Sequence, residues 1–173
     1  MYLVWGEFVG RLKTKMMSSD VSFGLFLLKG ANAILGVYVN HWPSQAAGPH
    51  KRVRAAKYLK ASIMEQRQRF GVRKVHSVAL GDFNTTQKES PNAVTDVITN
   101  PKWGGAFYDT QKLSKKAGNP ALKHMPPYTY WFDRGNSWSK LDRILVSPNL
   151  VNGSTMKYDP MSFRILSPKF MLI

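Results

Sequence analysis

Residues 75–84 read Val75-His76-Ser77-Val78-Ala79-Leu80-Gly81-Asp82-Phe83-Asn84. The apolar part predicts a buried strand from Val75 to Leu80, and the polar end predicts a loop. In α/β proteins, binding and catalytic groups collect where strands end. Asp82 and Asn84 are two residues apart, so an extended backbone points them to one side. A carboxylate there can bind a metal ion or activate water. A Gly-Asp strand exit is also a common turn, and this stretch alone leaves both interpretations open.

The residues before this strand predict a strand-helix-strand unit. A strand from Ala33 to Val39 ends before Pro43, which cannot donate a hydrogen bond within a sheet. The segment Arg52 to Phe70 has an apolar helical face, and the glycine after it predicts a helix cap. Such a unit predicts a crossover between parallel strands, so we expect His41 and Asp82 at the same ends of neighbouring strands.

The rest of the chain predicts further elements of a single domain over residues 1–173. These are a strand Val21–Leu28, a short helix Ser90–Asn100, a long exposed loop Lys112–Pro127, and two strands, Tyr128–Phe132 and Leu141–Val146, that pair as a hairpin. Trp131 and Trp138 flank the hairpin turn. They could pack against each other across the strands, or form a platform for a base or sugar ring.

The composition is strongly basic. The chain has 173 residues, with 25 Lys and Arg against 10 Asp and Glu, and a formal net charge of +15. This excess favours a polyanionic partner, with DNA or RNA first, although a basic surface can also serve solubility alone. The chain has no cysteine, which excludes disulfides and thiolate metal sites and leaves oxygen or histidine as metal ligands. No apolar run approaches the ~20 residues that a membrane helix needs, and we expect no secretory signal in residues 1–7.

Only two of the acids have a context typical of a functional site. Asp82 follows a predicted buried strand, and Asp142 opens the apolar run Leu141-Asp142-Arg143-Ile144-Leu145-Val146. An acid there costs free energy unless it is paired or hydrogen-bonded. Asp142 therefore either pairs with Arg143 or orients a histidine or a metal-bound water. His41, next to Asn40, is either structural or a donor to a phosphoryl oxygen.

These pieces, in this order, resemble the endonuclease/exonuclease/phosphatase superfamily of metal-dependent phosphoesterases, which includes deoxyribonuclease I-like enzymes. The matching stretches lie within residues 32–150. They are the strand-end motif Val39-Asn40-His41-Trp42-Pro43-Ser44, the helix Arg52–Phe70, the motif Gly81-Asp82-Phe83-Asn84, and the later strands Tyr128–Phe132 and Leu141–Ser147.

The resemblance implies a four-layer α-β-β-α sandwich of two mixed sheets with helices outside. It also implies a Mg²⁺ (or Mn²⁺) cofactor and in-line attack of water on a phosphodiester or phosphomonoester. By resemblance, the catalytic residues are His41, Asp82, Asn84 and Asp142. Asp82 would position or deprotonate the water and bind the metal, Asn84 would hold the water or a phosphoryl oxygen, and His41 would donate to the phosphate. Asp142 would support a second histidine, and Asn40 and Asn84 would bind the substrate.

The chain also departs from the family pattern. Nothing before Val21 resembles the family's early Asn or its metal-binding Glu, and Glu7 does not fit. Nothing after Asp142 resembles its final Ser-Asp-His motif. The resemblance therefore predicts a domain that is incomplete at its N- and C-terminal strands, with open sheet edges that favour self-association. Two hypotheses follow: nuclease-like phosphodiester hydrolysis, or a catalytically inactive fragment that acts as a basic nucleic-acid-binding module.

Overall fold

The computed structural model describes residues 7–16, 19–28, 30–103, 106–125 and 128–165. The strands among them are β1 Glu7–Met16, β2 Ser19–Leu28, β3 Ala33–His41, β4 Val75–Asp82, β5 Tyr108–Asp109, β6 Tyr130–Phe132, β7 Ser137–Ser139 and β8 Asp142–Val146. The α-helices are α1 Pro49–Phe70, α2 Thr110–Lys116 and α3 Pro148–Asn152. The large sheet is mixed and has the order β1-β2-β3-β4-β8-β5, while β6 and β7 pair separately.

The predicted strand-helix-strand unit is confirmed. Strands β3 and β4 are parallel neighbours, and α1 connects them. The helix begins at Pro49, three residues before the predicted start, since proline is favoured in the first turn of a helix. Its residues Leu59 and Ile63 belong to the same buried hydrophobic cluster as Tyr38 of β3. The crossover therefore puts the C-terminal ends of β3 and β4 at one edge of the sheet.

The large sheet is buried on the face that packs against α1 and more open on the other. On the open face, Val39 is 48% exposed and Ile144 is 44% exposed. Side chains alternate along a strand, so the neighbours of Val39, Tyr38 and Asn40, are buried on the α1 face. Within the described residues this is the only large sheet, and the four-layer sandwich stays a prediction.

The predicted hairpin between residues 128–132 and 141–146 is wrong. A 3₁₀ turn, Asp133–Gly135, followed by Asn136 in the left-handed region (φ 43°), reverses the chain at once. Strand β6 therefore pairs with β7, and β8 joins the large sheet antiparallel to β4. Leu145 and Val146 of β8 are buried in that sheet, which a short exposed hairpin could not have provided.

The predicted long loop over Lys112–Pro127 is also wrong in its first part. Asp109 accepts hydrogen bonds from the backbone N–H groups of Gln111 and Lys112, and so caps the start of α2. A 3₁₀ turn, Pro120–His124, follows, capped by Asn119. The helix predicted within Ser90–Asn100 is a π-helical turn, Ala93–Ile98, capped by Asn92.

Candidate active site

Four strands align polar residues in one row across the sheet. In the pairing of β2 with β3, Asp20 lies opposite His41. His41 lies beside Asp82 in the next pair, and Asp82 lies opposite Asp142 in the pair after that. Residues that are lateral neighbours in a sheet share a face. The fold thus brings the sequence-predicted residues His41, Asp82 and Asp142 to adjacent positions at one edge.

Asp20 is the member of this row that the sequence analysis does not single out. Its position follows from the tight turn between β2 and β3, where Leu28 pairs with Ala33. A tight turn fixes the register of both strands. Counting back from that turn places Asp20 opposite His41, so the turn was the sequence signal that could have identified it.

The row members His41, Asp82 and Asp142 lie on the open face of the sheet. His41 and Asp142 are exposed and Asp82 is half-buried, while their neighbours Asn40 and Arg143 are buried on the other face. An exposed histidine therefore lies on the strand next to Asp82, and Asp142 lies on the strand beyond Asp82. This set can accept a proton, donate one and bind a cation.

Asn84 holds the carboxylate of Asp82 in a defined orientation. Its backbone N–H donates to Asp82 Oδ1 at 2.7 Å, and its side-chain Nδ2 donates to Asp82 Oδ2 at 3.1 Å. The same Nδ2 donates to the carbonyl of Trp42 at 3.0 Å, and Asn84 has a positive φ of 47°. Asparagine tolerates this conformation better than most residues. Asn84 thus connects the ends of β3 and β4 and orients Asp82.

Asn40 is buried behind the row. Its Nδ2 donates to the carbonyl of Tyr38 at 2.9 Å and to that of Leu80 at 3.3 Å. Its Oδ1 accepts from Nε1 of Trp42 at 3.1 Å. Trp42 in turn packs edge-on against Phe83, with ring centroids 4.7 Å apart. The polar groups of Asn40 are thus used within the protein, where they hold the chain that follows His41.

Gly81 lies next to Asp82, and its backbone cannot accept a side chain. Its φ is 121°, and an added Cβ would lie 2.1 Å from the carbonyl oxygen of Asn40. We expect Gly81→Ala to lower the free energy of unfolding by about 3 kcal/mol, from backbone strain and overpacking together. Urea denaturation measures it. The control is Gly30→Ala, where φ is also positive but no atom lies within 4 Å. An equal loss in both variants would contradict the close contact.

A buried ion cluster supports the site from the other face of β8. Lys140 Nζ lies 2.9 Å from Asp109 Oδ2, and Arg143 donates to the same oxygen at 3.1 Å. Arg143 also donates to the backbone carbonyl of Thr85 at 3.2 Å. The cluster ties β5 and α2 to β8 and to the loop after Asp82. Its members are distant along the chain, so no local sequence pattern predicts it.

The pKa of Asp109 reflects this cluster. Burial by itself would raise the pKa of the carboxyl, but the charge and hydrogen bond of Lys140 and the charge of Arg143 hold the pKa below its usual range. A lowered pKa stabilises the fold above the unfolded-state pKa, and that stability is lost as pH falls through the folded pKa. We expect the free energy of unfolding to fall below about pH 4. Asp109→Asn should remove much of this dependence in denaturation series at several pH values, and an unchanged dependence would contradict the assignment.

The aromatic hairpin β6–β7 adjoins the same edge. Trp131 pairs with Trp138 across the strands at a ring-centroid distance of 5.0 Å, yet they are 38% and 48% exposed. Oγ1 of Thr129 accepts from the backbone N–H groups of Leu141 and Asp142 at 3.1 and 3.0 Å. The cross-strand packing is therefore present, and the role of these rings as a platform stays a prediction.

The donor chemistry of the row decides whether a metal ion fits. No three His, Asp or Glu side chains in the described part of the chain lie close enough together to hold a metal ion. Magnesium, however, is often held by one or two carboxylates and several waters. Asp82 and Asp142 fit a largely hydrated hard cation of this kind, and they do not form an all-protein cage.

No helix in the described ranges has the length and apolar character needed to span a membrane. No family model matches the sequence, and no curated protein matches it closely.

Solved structures do match. The chain is 18% identical to the human Nocturnin catalytic domain with bound sulfate, with a TM-score of 0.62, over 84% of this chain and 49% of that one. It is 18% identical to an endonuclease/exonuclease/phosphatase family protein from Bacteroides thetaiotaomicron, with a TM-score of 0.57, over 84% and 51%. It is 15% identical to D. rerio TDP2 complexed with a single-strand DNA product, with a TM-score of 0.52, over 83% and 54%.

Because the identities are only 15–18%, these matches establish the fold and nothing beyond it. The chain spans about half the length of the structures it matches. The sequence-based resemblance is thus confirmed at the level of the backbone: this chain has the fold of endonuclease/exonuclease/phosphatase proteins.

Proposed function

We propose that this chain is a metal-dependent phosphoesterase that hydrolyses phosphodiester bonds of nucleic acid by attack of water. The observation that carries the proposal is the row of His41, Asp82 and Asp142 on an exposed sheet edge. The similar structures support it at the level of the fold. One of them holds a single-strand DNA product and another a sulfate anion, which resembles phosphate in shape and charge.

Asp82 acts on the attacking water. Its two oxygens each accept one hydrogen bond from Asn84, which fixes the plane of the carboxylate and leaves a lone pair on each oxygen for a further contact. A fixed carboxylate can hold water in line with the phosphorus atom and accept its proton. In this proposal Asn84 also contacts the water or a phosphoryl oxygen.

His41 stands beside Asp82 and is exposed, so it can reach a substrate on the open face. A protonated imidazole can donate to a phosphoryl oxygen and stabilise the negative charge that develops there. Asp20 pairs with His41 across β2 and β3. We assign Asn40 to positioning this strand end, because its amide is buried and already hydrogen-bonded.

Asp82 and Asp142 would hold the divalent cation, Mg²⁺ or Mn²⁺. Such an ion, when bound, polarises a phosphoryl oxygen and neutralises charge in the transition state. Asp142 keeps its backbone N–H bonded to Thr129, which fixes the start of β8 at the site.

The four-layer sandwich belongs to this proposal too. Val39 and Ile144 leave apolar surface on the face of the sheet that carries the row. A second sheet would bury that surface, and in its absence self-association through the same face would do so.

The roles of His41 and Asp142 are tested by plasmid cleavage in the presence of Mg²⁺. We expect His41→Gln and Asp142→Asn each to lower the rate by about a hundredfold or more. The controls are His50→Gln and Asp133→Asn, which change the same residue types at exposed positions outside the row. Rates equal to wild type in the two row variants would contradict these assignments.

The second candidate is a catalytically inactive, basic nucleic-acid-binding module. It is favoured by the net charge of +15 and by the lack of a three-residue metal cluster in the described residues. This candidate predicts salt-sensitive DNA binding without turnover. Turnover that requires Mg²⁺ and Asp82 would exclude it.

A further inference from the structure

A cavity of about 1010 Å³ opens beside α2, between the π-helical turn Ala93–Ile98 and the segment that contains Asn119. Asn119 fixes that segment, because its Nδ2 donates to the carbonyls of Pro160 and Phe163 at 2.9 and 3.2 Å. Its side-chain oxygen accepts from the backbone N–H of Ala121 at 3.0 Å. The wall of the cavity is therefore built by side-chain contacts and does not depend on a free loop.

The lining of the cavity is strongly basic. Its cations are Lys112, Lys115, Lys116, Lys123, Lys140 and Arg143, and its one acid is Asp109. Asp109 is already bound by two of these cations, Lys140 and Arg143. The other four lysines have no carboxylate within ion-pair distance among the described residues. The cavity thus carries a large uncompensated positive charge.

Two further observations concern the cations Lys140 and Arg143, which lie close to one another in the cavity. Burial lowers the pKa of Lys140, Asp109 acts against this, and the charges of Arg143 and Lys112 lower it further. In addition, Nε of Arg143 is buried without a hydrogen-bond partner in the described part of the chain. A bound anion would relieve the repulsion between these cations.

The cavity is separate from the carboxylate row. Asp142 and Arg143 are consecutive in β8, but Asp142 is exposed on the open face while Arg143 is buried on the other face. None of His41, Asp82, Asn84 and Asp142 lines the cavity. An anion in the cavity would therefore lie behind β8, away from the reacting groups.

We propose that this cavity is a second nucleic-acid site, which binds the phosphates of a single-stranded segment. This proposal rests on the proposed function for its partner, a nucleic acid, but it does not require the chain to hydrolyse that partner. The lining also contains the apolar residues Val94, Phe107 and Leu113, of which Leu113 is half-buried and can contact the apolar face of a sugar or base. A concave site admits a flexible strand to Lys140 and Arg143, which are largely buried at its inner end, whereas a flat bilayer surface would contact only the exposed lysines.

The test is the affinity of the chain for a fluorescently labelled oligodeoxythymidine, measured by anisotropy in EDTA over a series of salt concentrations. The variant Lys115→Gln/Lys116→Gln removes two adjacent exposed cations from the cavity. The matched control, Arg73→Gln/Lys74→Gln, removes two adjacent exposed cations from the turn before β4. Thermal melting of both variants confirms that they fold.

We expect the cavity variant to bind the oligonucleotide about tenfold more weakly than the wild type. The slope of log affinity against log salt concentration should become shallower by about 0.7 for each phosphate contact removed. The control should bind as the wild type does. Equal weakening in both variants would show binding to the whole basic surface and would overturn the proposal. Unchanged affinity in the cavity variant would overturn it as well. So would binding to phosphatidylserine vesicles with no binding to the oligonucleotide. None of these outcomes depends on hydrolysis, so the proposal can fail or stand independently of the proposed function.

Discussion

Asp82→Asn lowers the rate of Mg²⁺-dependent phosphodiester hydrolysis by about a thousandfold in our account. The change removes the negative charge that accepts the proton of water and helps to bind the cation. The asparagine has the same shape as the aspartate. Its amide oxygen can still accept from the backbone N–H of Asn84, which donates to Asp82 Oδ1 at 2.7 Å in the wild-type chain. Its amide nitrogen replaces the oxygen that accepts from Asn84 Nδ2 at 3.1 Å, so we also expect a loss of about 1 kcal/mol in the free energy of unfolding beside the larger effect on kcat. Single-turnover kinetics on a labelled oligonucleotide measures it.

The matched control for Asp82→Asn is Glu65→Gln, which removes one negative charge from an exposed position on α1. We expect that variant to cleave at the wild-type rate. If Asp82→Asn and Glu65→Gln cleave equally fast while both are folded, Asp82 has no part in catalysis.

The largest expected loss of stability comes from Asp109→Ala. The change leaves Lys140 and Arg143 buried side by side without their common carboxylate. Removing one partner of a buried ion cluster destabilises a protein by about 3–5 kcal/mol, because the remaining charges are uncompensated. The same change removes the cap of α2. Denaturant unfolding should show the loss as a lower midpoint.

Asp159→Ala is the control, because Asp159 is also a helix cap and accepts from the backbone N–H of Met161 at 2.9 Å. Asp159 is exposed and has no ion pair among the described residues. We expect it to cost about 1 kcal/mol. A loss at Asp109 no greater than this would show that the ion cluster contributes little.

Local patterns in the sequence predicted the centre of the fold. The helical period of residues 52–70, between two apolar runs, predicted α1 and the parallel pair β3–β4, because a crossover helix brings two such strands side by side. The same reasoning placed His41 and Asp82 at one edge, where the pairing does put them. Asp142 joined them because β8 runs antiparallel to β4, so its first residue lies at that edge.

The predicted hairpin and the predicted long loop are wrong because contacts between distant segments decide the structure there. Leu141–Val146 could pair with the preceding aromatic run or with β4, and only burial in the large sheet selects β4. Asp109 looked unremarkable because its partner Lys140 lies 31 residues away. Lys115 and Lys116 looked like part of a solvated loop because the cap that starts α2 was not recognised.

We propose that the edge occupied by His41, Asp82 and Asp142 hydrolyses phosphodiesters. The most direct test is cleavage of plasmid DNA by the wild-type chain with Mg²⁺, with EDTA, and with Mg²⁺ restored in excess of EDTA. Our account predicts nicked product with Mg²⁺, none with EDTA, and product again when Mg²⁺ is restored. A folded chain that binds the plasmid and yields no product under any of the three conditions would contradict it.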